Sequence, residues 1–235
     1  MSGHSKWSTI KRKKGVLDAK RSGVFTRLAN AIIVSARTNV GLDLAIDRAK
    51  KANMPKDKIE NAIARGQGKI DGAEVEEIVY EAYGPEGVAI IINVLTDNRN
   101  RSISEIRAAI NKYGGNLATT GAVSYLFDKF GVILININDN KTLDKDGIEE
   151  VIIDSGAEDF HDDNDHLFVY TLPKKLEEVK KNLEFKTLKI ESAKIEMVPK
   201  THASVSESKK QSVIKLLETL EDLEDVDEVY TNADL

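Results

Sequence analysis

The chain has 235 residues, 41% hydrophobic and 31% charged, the balance of an ordinary folded protein and not of a disordered one. It has no cysteine, which excludes disulfides, thiol nucleophiles and cysteine zinc sites. The formal net charge of -5 hides a polarity: residues 1–70 carry sixteen Lys or Arg against five Asp or Glu, and residues 71–235 carry eighteen against thirty-four.

The positive charge is densest in the first 27 residues, where Lys6, Lys11, Arg12, Lys13, Lys14, Lys20, Arg21 and Arg27 stand against one acid, Asp18. A basic front on an acidic body points to a polyanionic partner, and the body's own charge would turn that front toward a phosphate backbone. Trp7, directly after Lys6, offers a plane that can stack on a base; it can equally anchor the arm on neighbouring helices. The arm lacks the apolar run of a secretory signal, and its Lys-rich block makes a transit peptide the weaker reading. No stretch approaches the ~18 apolar residues of a membrane span, so no membrane partner is expected and the cytoplasm is the expected compartment.

Ser22 is placed to cap a helix whose apolar residues Phe25, Leu28, Ala29, Ile32, Ile33 and Ala36 keep helical spacing to about Thr38. A second helix is expected from Leu42 to Asn53, and a third from Pro55, at a first-turn position, to Arg65, stopped by Gly66. Three short amphipathic helices need each other to bury their stripes, so this region reads as a small bundle followed by a GQGKIDG linker.

From Ala73 the period changes. Glu74–Gly84 and Val88–Asp97 form a predicted hairpin, Ser102–Tyr113 a helix closed by Gly114-Gly115, and Ala122–Phe127 a further strand. Residues 131–198 then run strand, helix, strand, strand, helix, strand, the split ferredoxin-like order, with Leu143–Ser155 and Lys175–Leu183 as the helices. A helix over Glu207–Leu220 and a strand over Val226–Thr231 are what the earlier strands need to complete a covered sheet. The fold class is therefore α+β and multidomain: 1–72 a basic arm and helical bundle, 73–128 with 202–235 a discontinuous α+β domain, and 129–201 a ferredoxin-like domain inserted in it.

The loop TDNRNRS (Thr96 to Ser102) leaves a strand and enters a helix, so Arg99 and Arg101 stand beside unpaired N–H groups suited to a phosphate. The alternative carries equal weight: Asp97, Asn98 or Asn100 caps the helix while the arginines make surface pairs. Other clusters are weaker. FHDDNDH (Phe160 to His166) reads as a solvated hairpin turn, and DKDG (Asp144 to Gly147) fails as a calcium loop, since the required acids fall on Thr142 and Ile153. No cofactor, no metal and no catalytic residue is expected.

GHSKW (Gly3 to Trp7), DAKR (Asp18 to Arg21), FTRL (Phe25 to Leu28), NMPKDKIENAI (Asn53 to Ile63), YEAYGPEGVAI (Tyr80 to Ile90), LTDNRNRS (Leu95 to Ser102), GGNL (Gly114 to Leu117) and SGAED (Ser155 to Asp159) together resemble the YebC/PmpR family over essentially the whole chain. The resemblance implies a DNA-binding transcriptional regulator; other members, including mitochondrial translational activators, are linked to the ribosome, where they assist difficult sequences such as proline runs. It also implies one helical and two α+β domains. Two departures stand out: the loop between Arg37 and Leu42 is only TNVG, and a cation within KRKK replaces the family's usual His.

The expected function is a non-enzymatic nucleic-acid-binding regulator. Lys6, Lys11, Arg12, Lys13, Lys14, Lys20, Arg21 and Arg27 would hold phosphates, Trp7 would stack or anchor, and Arg99 and Arg101 would make a second contact. Phosphate contacts carry little sequence information, so the residues do not separate promoter DNA from ribosomal RNA. They also leave the oligomeric state open, with a monomer favoured. A ligand-sensing module is the second class of function, resting on fold analogy alone, and an enzyme the third.

Overall fold

The computed structural model describes residues 21–140, 144–163 and 165–235, with the backbone alone at Arg21 and Ser22. These form two compact units, residues 127–200 and the remainder of the described chain.

In the larger unit three helices open the chain: α1 (Arg21–Thr38), α2 (Leu42–Lys51) and α3 (Lys56–Gly66). Their apolar residues close one cluster around Leu28, Ile32, Ile33, Ala45, Ala49, Met54, Ile59 and Ala62. Helix α1 already runs at Arg21, so Ser22 lies inside it and not at its cap. Pro55 takes the cap position of α3, one residue earlier than expected. Gly66 is the last helical residue of α3, where a Cβ would collide with the Ile33 carbonyl oxygen and force α1 and α3 apart.

Strands β1 (Glu76–Tyr83) and β2 (Ala89–Thr96) make the predicted antiparallel hairpin. Helix α4 (Arg99–Lys112) follows, and Gly114, at φ 79°, turns the chain into β3 (Asn116–Ala118) beside β1. The strand expected over Ala122–Phe127 does not form. The Glu81 carboxylate accepts the N–H groups of Gly121 (2.7 Å), Val123 (2.6 Å) and Ser124 (3.0 Å), which commits that backbone to a side chain instead of a ladder. Phe127 belongs to the next strand, in the other unit.

The sheet is completed after residue 200 by β8 (Ala203–Ser204), α7 (Glu207–Glu221), β9 (Val226–Thr231) and β10 (Ala233–Asp234). Its order is β3-β1-β2-β9, with the short β8 and β10 pairing in parallel as a separate ladder. One face packs Ile78, Ala82, Ile90, Ile92 and Val94 against Ile106 and Ile110 of α4 and Val213, Leu216, Leu217 and Leu220 of α7. Val75 and Leu95 instead join the helical cluster, and Asn30 of α1 donates to the Leu95 carbonyl at 3.2 Å, so the bundle packs on the sheet through a cluster separate from the one under α4 and α7.

The unit 127–200 contains β4 (Phe127–Asn136), α5 (Lys145–Asp154), β5 (Asp159–Asp163), β6 (His166–Thr171), α6 (Leu176–Phe185) and β7 (Ser192–Pro199). The strand order is β5-β6-β4-β7, antiparallel throughout, the ferredoxin-like arrangement of a β-α-β-β-α-β chain. The start expected for α5 at Leu143 lies outside the described residues; Asp144 caps the helix by accepting the Gly147 N–H at 2.9 Å, which gives DKDG its role. FHDDNDH is mostly strand and not turn, since β5 runs to Asp163 and β6 begins at His166. Within it Asp162 pairs with Lys145 and His166 with Glu191. Among the described residues no helix is long and apolar enough to cross a membrane.

Candidate nucleic-acid interface

Of the residues expected to bind nucleic acid, Lys6, Trp7, Lys11, Arg12, Lys13, Lys14 and Lys20 lie outside the described residues, and Arg21 is described in its backbone alone, in the first turn of α1. The remaining three, Arg27, Arg99 and Arg101, have defined surroundings.

Helix α1 puts Arg27 on the side that meets α7. Its Nη1 donates to the carbonyl of Glu221 at 2.5 Å, in the last turn of α7, where unpaired carbonyls make the negative end of that helix. Arg48 of α2 reaches β9, with Nη2 3.2 Å from Asp227 Oδ1 and 3.5 Å from Glu228 Oε1. The Asp227 charge holds the guanidinium pKa above its ordinary value against the opposing effect of burial, so this cation is fixed in its charged form. Arg37 pairs with Glu74 at 2.9 Å on the surface, and Arg65 donates to the Ala73 carbonyl at 3.0 Å. These arginines tie the bundle to the chain that follows it.

The TDNRNRS loop resolves into a cap and a clamp. Asn98 is the N-cap of α4, its side chain accepting the Arg101 N–H at 3.1 Å. Arg101 turns back toward the loop before β9. Its Nε donates to Asp225 Oδ2 at 3.1 Å, and its Nη2 lies 2.8 Å from Oδ1 and 2.9 Å from Oδ2. Asp97 receives the same guanidinium at 3.1 Å. The Asp225 side chain is only 4% exposed, against 44% for Arg101. Two hydroxyls complete its shell, Ser102 Oγ at 2.7 Å and Thr96 Oγ1 at 3.1 Å. Burial pushes the Asp225 carboxyl up, but the donors from Arg101, Ser102 and Thr96 and the Arg101 charge outweigh it and hold it below the ordinary carboxylate range. Arg99, one position into the helix, is exposed and has no hydrogen-bond or ion-pair partner among the described residues.

Arg27 and Arg101 thus converge on one stretch, residues 221–225, while Arg99 stands apart from both. Sequence reasoning missed Asp225 and Glu81. Asp225 sits in EDLEDVDE, where the buried acids look like their solvated neighbours, and no local signal marks it. Glu81 had a weak signal, an acid between Tyr80 and Ala82 in an otherwise apolar stretch of strand.

A basic helical bundle fused to one α+β sheet, with a second unit, ferredoxin-like, carried in the chain between its strands, defines a modular α+β protein with one strongly basic end. Two family models match it, the TACO1/YebC protein N-terminal domain over residues 5–69 and the TACO1/YebC second and third domain over residues 75–233. The chain belongs to the TACO1/YebC family. It is 45% identical over 242 residues to a "Probable transcriptional regulatory protein" of Trichlorobacter lovleyi, covering 100% of this chain and 96% of that one. The relative of the same name in Thermotoga maritima is 44% identical over 242 residues, covering 100% and 94%. A crystal structure of a conserved hypothetical protein from Aquifex aeolicus superposes with a TM-score of 0.83 at 42% identity, covering 92% of this chain and 91% of the other. The name the curated relatives carry is that of a regulator and not of an enzyme.

Proposed function

We propose that the protein is a nucleic-acid-binding regulator of the YebC type, acting on promoter DNA through its basic N-terminal domain. The observation that carries this reading is the polarity of the chain, sixteen cations against five acids in residues 1–70 and eighteen against thirty-four in the rest. A phosphate polymer binds the first part and repels the second, so the molecule approaches its target oriented. The name of the relatives in Trichlorobacter lovleyi and Thermotoga maritima agrees with a transcriptional role.

Structured RNA, as on a ribosome, is the second reading, and α3 favours it. A helix that reads the major groove presents its first turns to base edges. The first turns of α3 carry Asp57 and Glu60, and Lys56 is already 3.5 Å from Glu60. Acids there suit neither base readout nor phosphate contact, so α3 is a poor reading helix, and the contacts left to the domain are to backbone and shape, the mode of structured RNA.

The test is binding of the full chain to duplex DNA and to structured RNA across a salt series. With ~6 phosphates engaged, log K against log salt falls with a slope of about -5 on duplex DNA. Replacing Lys11, Arg12, Lys13 and Lys14 together by Ala removes about 3–4 units of that slope, in proportion to the phosphates released. A flat salt response in the wild type, or an unchanged slope in the variant, refutes the basic domain as the binding element. Tighter binding to RNA than to DNA at matched salt selects the second reading.

A further inference from the structure

The unit 127–200 has its own charge anomaly. It carries eleven Lys or Arg against seventeen Asp or Glu, yet residues 174–189 carry six against three, leaving five against fourteen elsewhere in the unit. In the middle of this basic island stands Phe185, 86% exposed, the most exposed of the large hydrophobic residues described.

That exposure is built into the fold. Helix α6 turns Leu176, Val179 and Leu183 into the core, which puts position 185 on the opposite side. The turn that follows is closed by three backbone bonds: Lys186 N–H to Asn182, Thr187 N–H to Glu184 at 2.9 Å and Leu188 N–H to Leu183 at 3.2 Å. Thr187 is held at φ 68°, a conformation costly for a branched side chain, and Leu188 returns to the interior at 3% exposure. Asn182 donates to the Ser155 carbonyl at 3.0 Å, and buried Asn140 exchanges two bonds with the Lys189 backbone, at 2.6 and 3.1 Å. Phe185 therefore projects from a turn pinned on both sides. A side chain carried on a fixed backbone loses less conformational freedom on contact than one on a mobile loop.

Lys181 lies one turn before Phe185 on the same side of the helix and Lys186 directly follows it; both are exposed, and neither makes an ion pair among the described residues. Glu178, two turns back, and Glu184 bound the patch. An exposed aromatic plane between cations, framed by acids, matches one or two phosphates with an unstacked base between them and suits neither a closed duplex nor an acidic protein surface.

We infer that Phe185, with Lys181 and Lys186, is a second nucleic-acid contact that stacks on an unpaired base of a single-stranded segment. The inference rests on the nucleic-acid reading of the basic domain, and it locates a contact outside that domain.

The test uses the full chain with oligo(U), oligo(dT) and a closed DNA duplex, read by fluorescence anisotropy. Phe185→Ala weakens binding to both single strands roughly 5- to 150-fold, Phe185→Trp keeps it, and Phe185→Leu behaves as the Ala variant because a base needs a ring face. Lys181→Glu with Lys186→Glu lowers the single-strand salt slope by about 1 to 2 units. None of the Phe185 variants changes duplex binding, and all keep the wild-type circular dichroism and melting curve. If wild type and Phe185→Ala bind the single strands alike, the contact is refuted while the basic-domain reading stands. If the wild type binds neither strands nor duplex in a salt-dependent way, both fail. If strand binding is unchanged and Phe185→Ala instead abolishes a concentration-dependent dimer in sedimentation velocity, the ring serves a second copy of the chain, and the inference is likewise overturned.

Discussion

Arg101 separates two roles that a single substitution usually confuses. As a clamp it makes three contacts of 2.8 to 3.1 Å with a carboxylate whose side chain is 4% exposed. Removing one partner of a fully buried pair costs about 3–5 kcal/mol, and a single hydrogen bond to a charged group about 1.5–3 kcal/mol. Here the guanidinium is itself 44% exposed, so water screens one side, and Asp225 keeps its two hydroxyl donors when Arg101 is lost. Arg101→Ala is therefore expected to cost about 2 kcal/mol, below the range for a fully buried pair and in the lower half of that for a charged hydrogen bond. In a cooperative unit of this size that is a fall of about 4–8 °C in Tm. Arg101→Lys is the sharper variant, because it keeps a cation for phosphate but loses the planar fork that meets both Asp225 oxygens. The assays are urea unfolding and duplex binding on the same preparations. The clamp predicts that Arg101→Lys loses at least half of the Ala destabilisation and that both variants bind DNA within about twofold of wild type when folded. Unfolding midpoints indistinguishable from wild type, together with weakened binding restored by Lys, would refute the clamp and return Arg101 to the binding surface.

Further expectations follow from the same geometry. Glu81→Gln keeps size but turns an NH₂ toward backbone donors, stranding one or two of the N–H groups of Gly121, Val123 and Ser124, at a cost of about 2–3 kcal/mol in urea unfolding. Burial raises the Glu81 carboxyl and those three donors lower it further, so its folded pKa is depressed. Its contribution is therefore full above the unfolded value of about 4.3 and is lost as pH falls through the folded one, and the acid limb of the stability curve should flatten in Glu81→Gln. An unchanged acid limb would count against the carboxylate as the anchor of that loop. Thr187→Gly should raise stability by about 0.5–1 kcal/mol, because glycine carries no penalty at φ 68°; a lower unfolding midpoint would show that the Thr187 hydroxyl bond to the Lys186 carbonyl matters more.

The sequence was most legible where one period ruled a whole segment. The stripes of α1, α4 and α7 are set by apolar residues that have one face to bury, and β2 is a continuous apolar run buried on both faces. It was least legible where a side chain substitutes for a backbone partner. Ala122–Phe127 has the apolar content of a strand, yet Glu81, some forty residues earlier in the chain, takes three of the amide protons near its start. The same limit applies to the candidate site. The arginines were identifiable as cations, but whether a cation meets solvent or a buried acid is decided by what the fold brings opposite it, and EDLEDVDE carries no mark showing which of its acids turn inward.

That segment changes what the positive charge of the first 70 residues means. Arg27, Arg48 and Arg101, from three different helices, all end on residues 221–228, at Glu221, Asp227 with Glu228, and Asp225 respectively. Two of the three belong to the basic bundle, so part of its formal excess is spent inside the molecule and is not available to a phosphate. Moving a phosphate onto Arg48 would leave Asp227 and Glu228, both mostly buried, without their cation, which costs more than an exposed phosphate contact returns. On the proposed reading the polymer is left to the cations from Lys6 to Arg21, while Arg27 and Arg48 hold the bundle against residues 221–228. A salt slope set by Lys11 to Lys14 and indifferent to Arg48→Met, with the Arg48 variant unfolding earlier, is the pattern this division of labour requires; an Arg48→Met protein of wild-type stability and reduced slope would reverse it.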